Sequence, residues 1–84
     1  MFIKIENKLY SLNCIQYFYA TSEDRIGFAF ASQDYETFDC DSIAIRDYIF
    51  SFLLREIKNK EHFIDLDEYK EFIKSQISKG IVKS

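Results

Sequence analysis

Residues 43–57 read IAIRDYIFSFLLREI, and six of the seven positions from Tyr48 to Leu54 within this run are apolar. The segment is long enough for a helix, in which each residue advances by about 100°. On that helix the apolar side chains cover an arc of about 240°, whereas a helix that packs on one side needs a stripe little wider than about 100°. Two surfaces must therefore cover this helix, and the architecture depends on what they are.

The apolar arc divides into two stripes. The first stripe contains Ile45, Tyr48, Ile49 and Phe52, and the second contains Ile43, Phe50, Leu53, Leu54 and Ile57. In one interpretation the sheet covers one stripe and a following helix covers the other, because short connections usually leave consecutive helices in contact. In the alternative a partner covers the second stripe, since a small monomer seldom exposes a contiguous apolar patch. The partner-binding residues would then be Phe50, Leu53, Leu54 and Ile57, and a homodimer is the simplest partnership.

Residues 2–39 alternate apolar and polar positions, with turn residues between the runs. This pattern predicts an antiparallel β-meander of four or five strands. The clearest strand is residues 26–31, where large and small residues alternate. We expect Ile26, Phe28 and Phe30 to lie in the core. The opposite face, formed by Gly27, Ala29 and Ala31, is a candidate contact surface only if nothing covers it.

Two helices are predicted after the meander. The first spans residues 42–59, with Asp41 as its N-cap. The second spans residues 65–79, because Asp65 and Glu68 have the spacing of a capping box. Gly80 ends the second helix in the left-handed conformation, which leaves residues 81–84 as a loose tail.

The predicted fold class is therefore α+β, with the two C-terminal helices packed on one face of the sheet. A chain of 84 residues with 48% apolar residues is expected to form one domain over residues 1–84, the meander occupying 1–39. Lys4 and Glu6 interrupt the apolar start, so no export signal is apparent. The longest apolar block is far short of the roughly 20 residues that cross a bilayer. We expect a soluble, cytoplasmic protein with no membrane contact.

The two cysteines, Cys14 and Cys40, do not form a CxxC pair. Reduced thiols are the default for such a chain, although the count alone leaves a disulfide between them open. Cys40 and His62 are the only candidates for a nucleophile and its base, and the carboxylates of Asp39 and Asp41 disfavour a thiolate at Cys40. One histidine and two distant cysteines do not form a metal-ligand cluster. The sequence thus predicts no catalytic residue, no cofactor and no metal.

Acidic residues concentrate in the centre of the chain: residues 22–47 hold seven acids against two arginines, a net charge of −5. Four of them, Asp34, Glu36, Asp39 and Asp41, are predicted to form one acidic edge, or else are simply solvated. Such an edge would suit a partner with a basic surface. The lysines are dispersed along the flanks, so we expect no direct binding to nucleic acid.

These observations favour a small non-enzymatic module that binds another protein, acting as an accessory or regulatory factor. The alternative is a phage- or plasmid-encoded acidic inhibitor of a host defence or nucleic-acid-processing protein. An enzyme is the third class, and no motif supports it.

Overall fold

The computed structural model describes residues 1–60 and 62–83. The chain order is β1 (Phe2–Ile5), β2 (Lys8–Ser11), a 3₁₀ helix (Leu12–Cys14), β3 (Ile15–Ala20), β4 (Arg25–Phe30), β5 (Tyr35–Asp39), α1 (Ile43–Lys58), β6 (Phe63–Asp65) and α2 (Leu66–Ser78). The α+β class is confirmed. The strand count was wrong, because the described residues form six strands in two three-stranded sheets, β2-β1-β6 and β3-β4-β5.

The predicted meander is divided by the 3₁₀ helix at Leu12–Cys14. Ser11 caps this helix, its hydroxyl accepting a hydrogen bond of 3.3 Å from the N–H of Asn13. A 3₁₀ turn is a common connector that changes the direction of the chain. As a result β3 starts a second sheet instead of extending the first.

The first sheet contains a strand that periodicity did not predict. β6 runs parallel to β1, with Ile64 opposite Ile3. Three residues are too few to display a period of two, and their pairing partner lies about 60 residues earlier in the chain. β6 therefore depends on tertiary contacts that local sequence does not encode.

The second sheet is antiparallel throughout, with a β-bulge between Ile15 and Tyr17. As predicted, Ile26, Phe28 and Phe30 are buried in the core. The small face of β4 is not a free contact surface, because Gly27 and Ala29 are also buried. A Cβ atom on Gly27 would lie 2.6 Å from the hydroxyl of Tyr19, so the tyrosine ring of β3 occupies the space above the glycine. Ala31 is exposed in the turn after β4.

Both helices contribute to one core that also includes both sheets. α1 packs on β3 and β4, whereas α2 packs on α1 and on β1. The core residues are Ile3, Ile5, Ile26, Phe28, Phe30, Phe38, Cys40, Ile45, Ile49, Leu53, Ile64, Leu66 and Ile73. Neither helix has the length and hydropathy that a membrane span requires, as far as residues 1–60 and 62–83 are concerned.

The N-cap of α2 is Asp65, as predicted: its carboxylate accepts a hydrogen bond of 3.0 Å from the N–H of Glu68. The predicted cap of α1 was one residue too early. Ser42 caps this helix by accepting a hydrogen bond of 3.1 Å from the N–H of Ile45. Asp41 instead adopts a φ of 71° and turns its carboxylate to α2.

Gly80 ends α2 with a φ of 75°, as predicted. The N–H of Gly80 donates to the carbonyl of Ile77 and the N–H of Ile81 to that of Gln76, which is the Schellman arrangement. Residues 81–83 are not a loose tail, because the hydroxyl of Tyr48 donates a hydrogen bond of 2.7 Å to the carbonyl of Lys83. Ser84, also part of the predicted tail, lies outside the described residues.

Candidate functional site

The three sides of α1 have different surroundings. Ile45, Ile49 and Leu53 point into the core and are buried. On one side, the ring of Phe52 stacks on Tyr69 of α2, with ring centroids 3.7 Å apart and planes inclined by 7°. α2 therefore covers the Phe52 side of the first stripe, and the second stripe has to be covered by something else.

The second stripe is divided by the packing. Leu53 is fully buried, so this predicted contact residue belongs to the core and does not reach the surface. Phe50 is half-buried and meets Phe18 of β3 edge to face, with ring centroids 5.3 Å apart. Ile57 is also half-buried, whereas Leu54 remains 53% exposed. Neither of the two expected arrangements is found in full, because β3 covers part of the stripe and leaves the rest open.

An open groove of about 520 Å³ lies between α1, β3 and the 3₁₀ helix. We call it the α1–β3 groove. Its lining residues are Met1, Leu12, Asn13, Ile15, Gln16, Tyr17, Phe18, Phe50, Leu54 and Ile57. None of these side chains is charged, so the groove offers apolar contact and a few uncharged polar groups.

The wall formed by β3 and the 3₁₀ helix was not predicted as part of a site. Its signal in the sequence is the stretch from Leu12 to Ala20, which contains no charged residue. Alternation in this stretch predicted a strand, but it did not show that the strand would lie beside α1. That proximity follows from the packing of Phe18 on Phe50.

The predicted acidic edge is not one unpaired surface. Asp41 faces two lysines of α2, with its carboxylate 3.2 Å from the Nζ atom of Lys70 and 2.9 Å from that of Lys74. The hydrogen bond from Lys74, followed by that from Lys70, lowers the pKa of Asp41, although partial burial acts in the opposite direction. These contacts connect the start of α1 to α2, so Asp41 has a structural role.

Two further residues of that predicted edge also face cations. Asp39 lies 3.8 Å from the guanidinium of Arg25, and Glu36 lies 3.5 Å from the ammonium of Lys8. Asp34 is in the turn between β4 and β5, at the opposite end of β5 from Asp39. The acids are therefore spread along the strand and largely matched by positive charge, which weakens their attraction for a basic partner.

Cys40 and His62 do not form a catalytic pair in this structure. Cys40 is buried in the core, where its thiol lies 3.6 Å from the carbonyl oxygen of Phe38. Burial is the main reason why the pKa of Cys40 rises to about 12. His62 is exposed, and its carbonyl accepts a hydrogen bond from the N–H of Phe2. Cys14 is exposed, and both cysteines are free thiols.

Within residues 1–60 and 62–83, no group of three or more His, Cys, Asp or Glu side chains is placed to hold a metal ion. Comparison with known proteins gave no match, whether to family models, to curated proteins or to solved structures.

Proposed function

We propose that this chain is a small non-enzymatic module that binds another protein, and that the partner contacts the α1–β3 groove. The observation that carries the proposal is the half-exposed Leu54 at the edge of a groove of about 520 Å³ whose lining side chains are all uncharged. Because Leu54 is 53% exposed, a partner that covers it gains about half of the roughly 1.5–3 kcal/mol that the full burial of a leucine side chain gives. An accessory or regulatory role fits a chain of this size.

The shape of the groove favours a protein segment over a small molecule. Sites for small ligands usually enclose most of the ligand surface and place a few polar groups to orient it. The α1–β3 groove is open along its length and contains no charged side chain. A peptide segment or a second folded surface can cover such a groove, whereas a small ligand in it would stay largely in contact with water.

Nothing in the contacts of the acidic residues favours the alternative of an acidic inhibitor. Asp39, Asp41 and Glu36 each face a cation of this chain, so a basic partner would have to displace those contacts. We place the function in the cytoplasm because two free cysteines suit a reducing compartment.

Affinity capture from extracts of the native host tests the proposal, with Leu54→Gln compared with a matched control. Ile43 provides that control, because it lies on the same helix and is 54% exposed but does not line the groove. We expect Leu54→Gln to lower the recovery of a specific partner about tenfold or more, since 1.4 kcal/mol corresponds to a factor of ten. Ile43→Gln should recover the partner as the wild type does. Equal recovery by both variants, or no specific protein in any sample, would refute the proposal.

A further inference from the structure

The outer edge of β3 is the starting observation. β3 is the terminal strand of the sheet β3-β4-β5, and no strand in the described part of the chain pairs with its other side. An edge strand presents a row of N–H and C=O groups that another strand can satisfy. The bulge near Ile15 is confined to the start of β3, so Tyr17 to Ala20 continue in regular register with β4.

The four edge strands of the two sheets differ in how they are protected. Charged side chains are a common means of blocking pairing at an edge. β2 carries Lys8, β5 carries Glu36 and Asp39, and β6 carries Asp65. β3 reads IQYFYA, with no charge and no proline, and it is the longest of the four edges. It is therefore the edge most open to pairing with another strand.

The surroundings of β3 define what kind of strand could pair with it. Phe18 points to the core side of the sheet, opposite Phe28, and packs on Phe50 beside the α1–β3 groove. A strand added along β3 would direct alternate side chains into this groove, towards Leu54 and Ile57. The other side chains would lie level with Tyr17 on the outer face. The groove thus requires an extended, uncharged strand with apolar residues at alternate positions.

We propose that this strand is β3 of a second copy of the chain, paired antiparallel about a two-fold axis. The inference rests on the proposed function, because it names the partner of the same groove. β3 itself has the required pattern, with Phe18 on one face and Tyr17 on the other and no charge along its length. A two-fold contact needs only one self-complementary surface.

Charge decides which edge two copies would use. Each chain carries a net charge of −3, which opposes self-association, so two copies are expected to meet at the edge that adds no local repulsion, and β3 is the edge strand without a charged residue. The pairing of two β3 strands joins the two sheets into one sheet of six strands. The exposed side of Leu54 in each copy then faces the other copy, which covers the part of α1 that β3 alone leaves open.

The two-fold axis gives the pairing a specific geometric consequence. If the axis passes near Tyr17 or Phe18, Tyr17 of each copy lies directly or diagonally across from Tyr17 of the other, at about 5–8 Å. A charged residue introduced at position 17 of one copy therefore lies close to the same charged residue of the second copy. This would not occur if the partner were an unrelated strand.

Sedimentation velocity of the wild-type protein is the first test. We expect a monomer–dimer equilibrium in which the mass rises from 10.0 kDa to twice that value as concentration increases to about 1 mM. A particle that stays at 10.0 kDa over this whole range would overturn the inference. If host capture still depended on Leu54 in that case, the proposed function would stand without the dimer. If neither were observed, both would fall.

Charged substitutions at Tyr17 then test whether the dimer forms through the edge of β3. Tyr17→Lys and Tyr17→Glu should each raise the dissociation constant of the dimer at least about tenfold, because like charges meet across the axis. An equimolar mixture of the two should restore dimers, since each pair then contains one lysine and one glutamate. Leu9→Lys is the matched control: Leu9 is an exposed apolar residue on β2, an edge strand of the other sheet, and it does not line the groove, so its replacement should leave the dimer intact. Circular dichroism confirms that each variant is folded. Dimers of Tyr17→Lys as stable as those of the wild type, or a mixture that remains monomeric, would contradict the proposed pairing.

Discussion

Asp41 combines an unusual backbone conformation with a pair of charged contacts. Its φ of 71° lies in the left-handed region, which aspartate and asparagine adopt more readily than most residues. This conformation lets the carboxylate reach Lys70 and Lys74 on α2. The residue therefore connects the start of α1 to α2, and its contribution depends on its charge as well as its shape.

Asp41→Asn should lower the free energy of unfolding at pH 7 by about 0.5–1 kcal/mol, a modest amount because the carboxylate is partly exposed to solvent and salt. Asparagine keeps the left-handed backbone, so the substitution isolates the charge. The pKa of Asp41 is lowered in the folded state, so folding favours its charged form and the contribution is fully present above the ordinary aspartate pKa of 3.8.

The difference between Asp41→Asn and the wild type should shrink as pH falls below that value, and it should vanish once Asp41 is protonated in the folded protein. Urea denaturation at a series of pH values measures the free energy of unfolding of the wild type and of Asp41→Asn. A second series at high salt should reduce the difference at pH 7. If the difference in unfolding free energy between the wild type and Asp41→Asn stayed constant through the acidic range, the contacts with the two lysines would not stabilise the fold through charge.

At the scale of single elements, α1 owes its start to the hydroxyl of Ser42. This hydroxyl accepts the hydrogen bond from the N–H of Ile45, which has no partner within the helix. Ser42→Ala should lower the free energy of unfolding by about 1 kcal/mol, the usual cost of removing a serine cap. Chemical denaturation monitored by circular dichroism measures this change.

Ser51 is the control for the cap, because it is an exposed serine in the interior of the same helix. Ser51→Ala should be neutral or slightly stabilising, since alanine has the higher helix propensity. If the two substitutions had the same effect, the hydrogen bond of Ser42 would not contribute to stability, and the helix would start without a side-chain cap.

The start of α1 also shows where local sequence stops being sufficient. Asp41 and Ser42 are both good N-cap residues, and they are adjacent. The choice between them depends on Lys70 and Lys74, which lie about 30 residues later in the chain and attract the aspartate away from the helix. α2, in contrast, was placed correctly because the Asp65 cap, the apolar period and Gly80 all lie within the segment itself.

At the scale of the whole molecule, the sequence predicted that α1 must be covered on more than one side. It did not predict which strand or helix would pack on each side. The apolar arc is a property of residues 43–57 alone. The position of α2 depends on the stacking of Phe52 on Tyr69, and the position of β3 depends on Phe18 and Phe50. The α1–β3 groove is the part of α1 that β3 leaves uncovered beside the Phe18–Phe50 contact, so it could not be predicted before the packing was known.

The two cysteines provide a measure of how cooperatively this single core opens. Cys14 is exposed, whereas Cys40 is buried among residues from both sheets and both helices. Its N–H donates a hydrogen bond of 2.8 Å to the carbonyl of Asp24, which further holds the junction between β5 and α1. Burial also raises the pKa of Cys40 to about 12, so its thiol is protonated and unreactive in the folded state.

In the native state, iodoacetamide should therefore modify the exposed thiol of Cys14 quickly and the buried thiol of Cys40 only when the protein unfolds. In a Cys14→Ser variant, which leaves Cys40 as the single thiol, the labelling rate should rise with urea in parallel with the global unfolding equilibrium. Cys40 belongs to the one buried cluster that includes residues of both sheets and both helices, so we expect it to become exposed only when this cluster unfolds as a whole. Labelling of Cys40 that is fast and independent of urea would instead mean that the junction between β5 and α1 opens locally, and that the two halves of the core are not one cooperative unit.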